Sequence, residues 1–158
     1  MSAPAVTARV TPNGFKMPDG FKALYAFASD PSIQLWERGV KPPGMDGGEG
    51  IDTTTQHNVT WRTKAARHLK TLTEGSFTCA YDPDSYNNLL NLVNHEEAVT
   101  CHYPDGSAVA FFAFMQKFEP SELKEGEFPE ATVTITPTNW DPVGFVEAGP
   151  VFVPAGGT

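Results

Sequence analysis

Residues 99–118 read VTCHYPDGSAVAFFAFMQKF. Val99, Cys101 and Tyr103 alternate with Thr100 and His102, and in an extended chain successive side chains point to opposite faces. Pro104-Asp105-Gly106 follows as a turn, since Pro presets the backbone and Gly tolerates a left-handed residue. Ala108 to Phe118 is then a long apolar run. Strand, short turn and strand make a β-hairpin.

The same alternation recurs on either side of this hairpin. Phe21, Ala23, Tyr25 and Phe27 form one face of a strand, and Phe77, Cys79 and Tyr81 alternate with Thr78 and Ala80. Val133 and Ile135 alternate with Thr132, Thr134 and Thr136 until Pro137, which has no N–H to give to a ladder. Ser32–Arg38 is a further candidate strand with Ile33 and Leu35 on one face, and the Thr-rich segment Ile51–Trp61 is a weaker one. One helix is expected over 82–94: Asp82 suits the N-cap and Pro83 the first turn, and Tyr86, Leu89, Leu90 and Val93 follow at helical spacing. Lys64–Leu72 is expected to make a short helical turn, against which Thr71 and Thr73 count. The reading is a mainly β protein: a β-sandwich or barrel-like sheet with one flanking helix.

Pro and Gly number 14 each and concentrate in three places: residues 1–20, 39–50 and 142–158. The first and last read as extended terminal arms and the middle one as a loop, together about a third of the chain. Structureless segments of that size inside a compact domain are uncommon. A folded monomer of 17.1 kDa is expected to expose roughly 7,800 Å², burying about two-thirds of its chain's surface, enough for one domain.

The net charge of −8 excludes a protein whose main task is gripping nucleic acid, because such affinity comes from Lys and Arg neutralising phosphates. The longest apolar runs fall short of the roughly 18 residues of a membrane span. Met1-Ser-Ala-Pro-Ala-Val6 has no basic region leading into an apolar one, so no signal peptide is expected, and two cysteines make no disulfide scaffold. A soluble protein made in a reducing cytoplasm is expected.

The search for chemistry returns nothing catalytic. His57, His68, His95 and His102 form no HExxH, and Cys101 and His102 point to opposite faces. Cys79 and Cys101 sit in apolar runs without Lys or Arg nearby, as buried, inert thiols do. Asp46, Glu49 and Asp52 lie in a glycine-rich segment that lacks the spacing of a calcium loop, and no phosphate-binding or GxSxG pattern occurs. No cofactor or metal is expected, and no enzymatic activity.

Residues 36–63 read WERGVKPPGMDGGEGIDTTTQHNVTWRT and residues 130–142 read EATVTITPTNWDP. Between them stand Tyr81-Asp82-Pro83 with its helix and Tyr103-Pro104-Asp105-Gly106. In this order, over roughly residues 20–150, the sequence resembles the major tail tube proteins of long, non-contractile-tailed bacteriophages.

That resemblance implies a single tail tube domain over 1–158, with an N-terminal arm at 1–20, a long stacking loop at 39–60, the helix at 82–94 and a C-terminal arm at 142–158. Six subunits close into a ring whose inner sheets join around a lumen, and rings stack into a tube through the loop and arms. DNA passes through on ejection without tight binding. The implied location is the virion tail, after synthesis in the bacterial cytoplasm. The partners are further copies of the chain, the tape measure protein, the tail terminator and the baseplate or distal tail proteins.

A head-to-tail contact that closes makes a ring, and axial contacts that do not close make a tube. Trp36, Val40, Pro42, Pro43, Met45, Ile51, Thr54 and Trp61 around the loop, and Phe145, Val151 and Phe152 in the C-terminal arm, are the expected interface residues. A ring of six would carry about −48, six times the −8 of one chain. Acids lining the lumen would repel phosphate, and Asp30, Glu37, Glu119 and Glu122, near strand ends, are the candidates.

Two other readings fit the same features. A tail terminator or baseplate ring component forms single rings rather than tubes. A carbohydrate-binding β-sandwich would use Trp36, Trp61 and Trp140 as a stacking platform.

Overall fold

The computed structural model describes residues 19–30 and 35–156. The expected N-terminal arm falls outside the described residues except for its last two, and Ile33 falls outside as well.

In chain order the elements are β1 (Leu24–Phe27), β2 (Glu37–Lys41), β3 (Met45–Asp46), β4 (Ile51–Asp52), β5 (Lys64–Ala65), β6 (Thr71–Leu72) and β7 (Gly75–Ala80). Helix α1 (Pro83–Leu89) follows, then β8 (Glu97–His102), β9 (Ala108–Pro120), β10 (Glu130–Pro137), β11 (Trp140–Asp141), β12 (Val146–Glu147) and β13 (Val151–Val153). The fold is mainly β with one short helix, as the alternation predicts. The main sheet runs β1-β8-β9-β10-β7-β2, all antiparallel, and β13 also pairs with β9.

The 99–118 hairpin is present with Val99 opposite Phe111 and Cys101 opposite Val109. One face of the sheet is the core: Phe77, Cys79, Val99, Cys101, Met115, Val133 and Ile135 are at most 2% exposed. The other face is rich in small and hydroxyl side chains, with Thr78 and Thr132 opposite one another and Thr134 opposite Ser76. Between Thr134 and Ile135 the β9–β10 register shifts by a bulge, which adds local twist.

The sheet curls until its two edge strands meet without pairing. The Tyr25 hydroxyl of β1 donates to the Lys41 carbonyl of β2 at 2.8 Å, and the Tyr25 N–H donates to Glu37 Oε1 at 3.4 Å. The Tyr25 ring packs on Phe77, 5.4 Å between centroids. The result is a barrel-like wall that stops short of closure.

Asp82 caps α1, its Oδ1 accepting from the Ser85 N–H at 2.7 Å, with Pro83 at the start. The helix ends at Leu89 instead of reaching Asn94. Asn87 and Asn88 are weak helix formers, and the chain leaves the helical path after Leu90. Leu89 and Leu92 therefore pack on the sheet, while Tyr86, Leu90 and Val93 of the expected buried face are exposed.

Two further expectations change. The segment 39–50 is not a free loop, and Lys64–Leu72 is not helical. Gly39–Lys41 belongs to β2, Met45 pairs with Leu72, and Ile51 pairs with Ala65. The β2–β7 hairpin thus continues outward as a two-stranded arm. Two glycines of its first leg make room for long side chains of the second: a Cβ on Gly48, which has φ +75°, would lie 3.0 Å from Arg67 Cδ, and one on Gly50 would lie 3.4 Å from Lys64. At the other end of the chain, Val151–Val153 is a strand of the main sheet, continuing the line of β10 along β9: Pro137 stands opposite Ala113, and Val151 opposite Ala110.

Candidate assembly surface

From Gly44 to Thr71 every residue of the arm is exposed except Asn58, which is half-buried. A two-stranded ribbon with no third layer is marginally stable in water, so this one relies on its own polar clasps. Thr54 Oγ accepts from the Thr63 N–H at 3.1 Å and Thr53 Oγ meets Thr63 Oγ at 3.0 Å. Asn58 closes the tip, its Oδ1 accepting from Thr55 N–H at 2.8 Å and its amide donating to the Trp61 carbonyl at 2.9 Å. Thr54 also hydrogen-bonds Asp52, which holds that carboxyl below the usual carboxylate range. Thr54, one of the expected interface residues, is thus occupied within the tip.

The apolar side chains of the arm have no such use. Met45, Ile51, Val59, Trp61 and Leu69 are exposed, Trp61 at 81%. Val40, Pro42 and Pro43 at the arm's root are half-buried, and Val40 packs against the core. Trp36 stands exposed at the other end of β2, where it lines a groove of 740 Å³ with Phe21, Leu24 and Phe128. Phe145 is 77% exposed in the β11–β12 turn and holds φ +50°, a costly conformation for an aromatic residue. Val151 and Phe152 are exposed on β13 although their backbone is in the sheet.

The structure therefore distributes the expected interface residues over three regions: the arm, the Trp36 groove and the β11–β13 segment. Among the exposed apolar residues that sequence reading missed are Val59 and Leu69 in the arm, Phe128 in the groove, Val143 and Val146 in the β11–β13 segment, and Leu123. Leu69 was masked by the helical reading of its segment, and an isolated Leu or Phe in a Glu-rich stretch carries no signal of its own.

The four candidate lumen acids differ. Glu37 lies on the core side of β2, opposite Cys79, and accepts from the Tyr25 N–H. Burial raises its pKa above the ordinary carboxylate value. It belongs to the β1–β2 seam rather than to an open wall. Glu119 pairs with Lys117 at 3.0 Å and Glu122 with Lys124 at 3.2 Å, both on the surface. Asp30 is half-buried just beyond β1.

Cys79 and Cys101 are wholly buried, and burial pushes both thiols up to about 11, so neither is a thiolate near neutral pH. Among the described residues no three His, Cys, Asp or Glu side chains are placed to hold a metal ion, and no helix is long and apolar enough to cross a membrane. Trp36 and Trp61 line different grooves, and Trp140 lines neither, so no stacking platform is assembled from the three.

Among the described residues, large apolar side chains stand uncovered along the arm, in the Trp36 groove and over the β11–β13 segment, and exposed patches of this kind mark interaction surfaces.

No protein-family model matches the sequence, and no curated protein matches it. Solved structures share the fold. A chain of the virion of a native gene transfer agent particle aligns with a TM-score of 0.60 at 10% identity, covering 86% of this chain and 98% of that one. A chain from the tail of an empty gene transfer agent particle, refined helically with C6 symmetry, gives 0.59 at 11% identity, covering 86% and 98%. A chain of the six-fold symmetrised baseplate of the anti-feeding prophage gives 0.57 at 10% identity, covering 97% of both. This chain has a fold found in phage-like tail machinery.

Proposed function

We propose that the protein is a structural subunit of a phage-type tail that closes into six-membered rings and stacks them into the tail tube, through which DNA leaves the particle. The observation that carries this reading is the exposed, unsupported arm on a fold shared with six-fold tail structures. A ribbon that buries almost nothing in its own subunit has its packing partner elsewhere. The unpaired meeting of β1 and β2 supports ring formation, since open sheet edges are covered when neighbours pair or pack against them.

The subunit's partners in this reading are its own copies along the tube, the tape measure protein inside it, and the terminator and baseplate or distal tail proteins at its ends. It works in the virion and is made in the host cytoplasm. Its role is structural rather than enzymatic, and it needs no cofactor. Asp30, Glu119 and Glu122 remain as acids for a lumen wall that lets DNA slide.

The baseplate match, which spans nearly all of both chains, favours a second reading as a baseplate ring component. Electron microscopy of the purified, concentrated protein separates the two. Long tubes of constant width with six-fold cross-section are expected; single rings that never stack would place the protein at a tail end, and glycan binding by a monomer would overturn both.

A further inference from the structure

The second leg of the arm is the most basic stretch of an acidic chain. Between Thr53 and Thr73 stand Arg62, Lys64, Arg67 and Lys70 and no Asp or Glu, in a protein of net charge −8. Arg67 serves the arm itself, its Nε–H donating to the Glu49 carbonyl at 2.7 Å. Arg62, Lys64 and Lys70 are exposed and take no part in the ion pairs found among the described residues.

The complementary charge is on the β9–β10 connection. Residues 119–130 carry five glutamates and one lysine. Glu119, Glu122 and Glu130 have cationic partners in Lys117, Lys124 and Arg38. Glu125 and Glu127 join no ion pair among the described residues. Phe128, exposed at the end of the connection, is covered on one side by the Arg38 guanidinium 4.9 Å above its ring and forms a wall of the Trp36 groove. Acidic rim and apolar groove thus lie side by side.

Strand register sets these two features apart. The connection enters β10 at Glu130, opposite Ala80, the last residue of β7. The arm's second leg enters β7 at its other end, at Gly75. One subunit therefore has a basic pole and an acidic pole at opposite ends of the same strand, and a head-to-tail contact between such poles repeats without closing.

We propose that the arm of one subunit docks on a second copy, with Arg62, Lys64 and Lys70 meeting Glu122, Glu125 and Glu127, and Trp61 covering the Trp36–Phe128 groove beside them. This rests on the tube reading and names the surfaces that join one ring to the next. It also assigns Glu122 to stacking rather than to the lumen.

The test is a charge reversal made in two halves and then together. R62E/K64E/K70E and E122K/E125K/E127K are each expected to stay folded and to cut tube yield at least tenfold, as read by sedimentation and electron microscopy. The chain carrying all six changes is expected to recover most of that yield. Folding of each variant is checked by circular dichroism and by its melting temperature. Intermolecular zero-length cross-links between Lys64 or Lys70 and the three glutamates are expected in wild-type tubes and give a readout that needs no variant. Tubes formed normally by both half-reversals, or no recovery in the combined chain together with absent cross-links, overturn the contact while leaving the tube reading intact. A wild-type chain that never self-associates overturns both. Loss of DNA binding by R62E/K64E/K70E with unchanged tubes would make the leg a nucleic-acid contact instead and also overturn the proposal.

Discussion

Gly75 is glycine because of Tyr25. A Cβ built there would lie 2.3 Å from the Tyr25 hydroxyl and 3.4 Å from the Lys41 carbonyl, the two groups that hold β1 to β2. Gly75→Ala must push the phenol away and forfeit that hydrogen bond. The expected cost is about 2–3 kcal/mol, the sum of overpacking and one lost bond, measured by urea denaturation.

The neighbouring Glu37 gives a pH prediction. Burial raises its carboxyl above the ordinary 4.5, more than the N–H groups of Tyr25 and Glu37 itself lower it. A carboxyl whose pKa rises on folding supports the fold fully below its unfolded pKa, and that support is lost as pH rises through the folded value. Glu37→Gln removes the burial penalty on charge, so the variant is expected to melt higher than wild type at pH 7 and to match it below about pH 4. A variant that melts lower at pH 7 would show that the charge itself holds the seam. At this scale the inert cysteines were legible, because alternation alone places them inside. The Gly75–Tyr25 contact was not, because it joins residues fifty positions apart across a curl that no local pattern encodes.

Among the elements, β7 to β10 and the helix start were legible for local reasons, period-two alternation, an Asp cap and a Pro in the first turn, whereas β2 runs Glu37–Lys41 in place of Ser32–Arg38 and β1 begins at Leu24, after Phe21 and Ala23. The helix end was not, since apolar residues at helical spacing continue past Leu90, where the chain passes into a tighter turn with the Leu92 N–H on the Leu89 carbonyl and then Asn94 at φ +60°. The arm was hidden for a different reason. Its first leg is rich in glycine and proline and reads as a loop, yet Gly48 and Gly50 lie against Arg67 and Lys64 of the second leg across a ribbon. Met45 and Leu72 already stand opposite each other there, so an Asn-Gly turn replacing residues 46–71 suits the hairpin geometry. That excision is expected to leave the melting temperature within a few degrees of wild type, because the removed residues are almost all exposed. Tube formation is expected to vanish. A large drop in melting temperature would instead make the ribbon part of the subunit's own fold.

For the whole molecule, the sequence pointed to one mainly β domain with more surface-seeking segments than a monomer needs, and the exposed apolar side chains of the arm and of β13 agree with that imbalance. What composition could not convey is polarity. The formal charge of −8 is an average over an arm that is basic along one leg and a connection that is acidic, and only strand register reveals that the two lie at opposite ends of β7.

The line shared by β10 and β13 along β9 bears on the order of events during synthesis. Ala108–Ala110 has β8 on one side from early on, but its other side waits for Val151–Val153, more than forty residues later. Until those residues are made, part of the longest strand keeps an open ladder, and open ladders recruit foreign strands. Strand β13 therefore acts as a timing seal. It leaves a chain made only as far as β10 more exposed to misassociation than one made through β13, and it ties completion of the sheet to the synthesis of Val153.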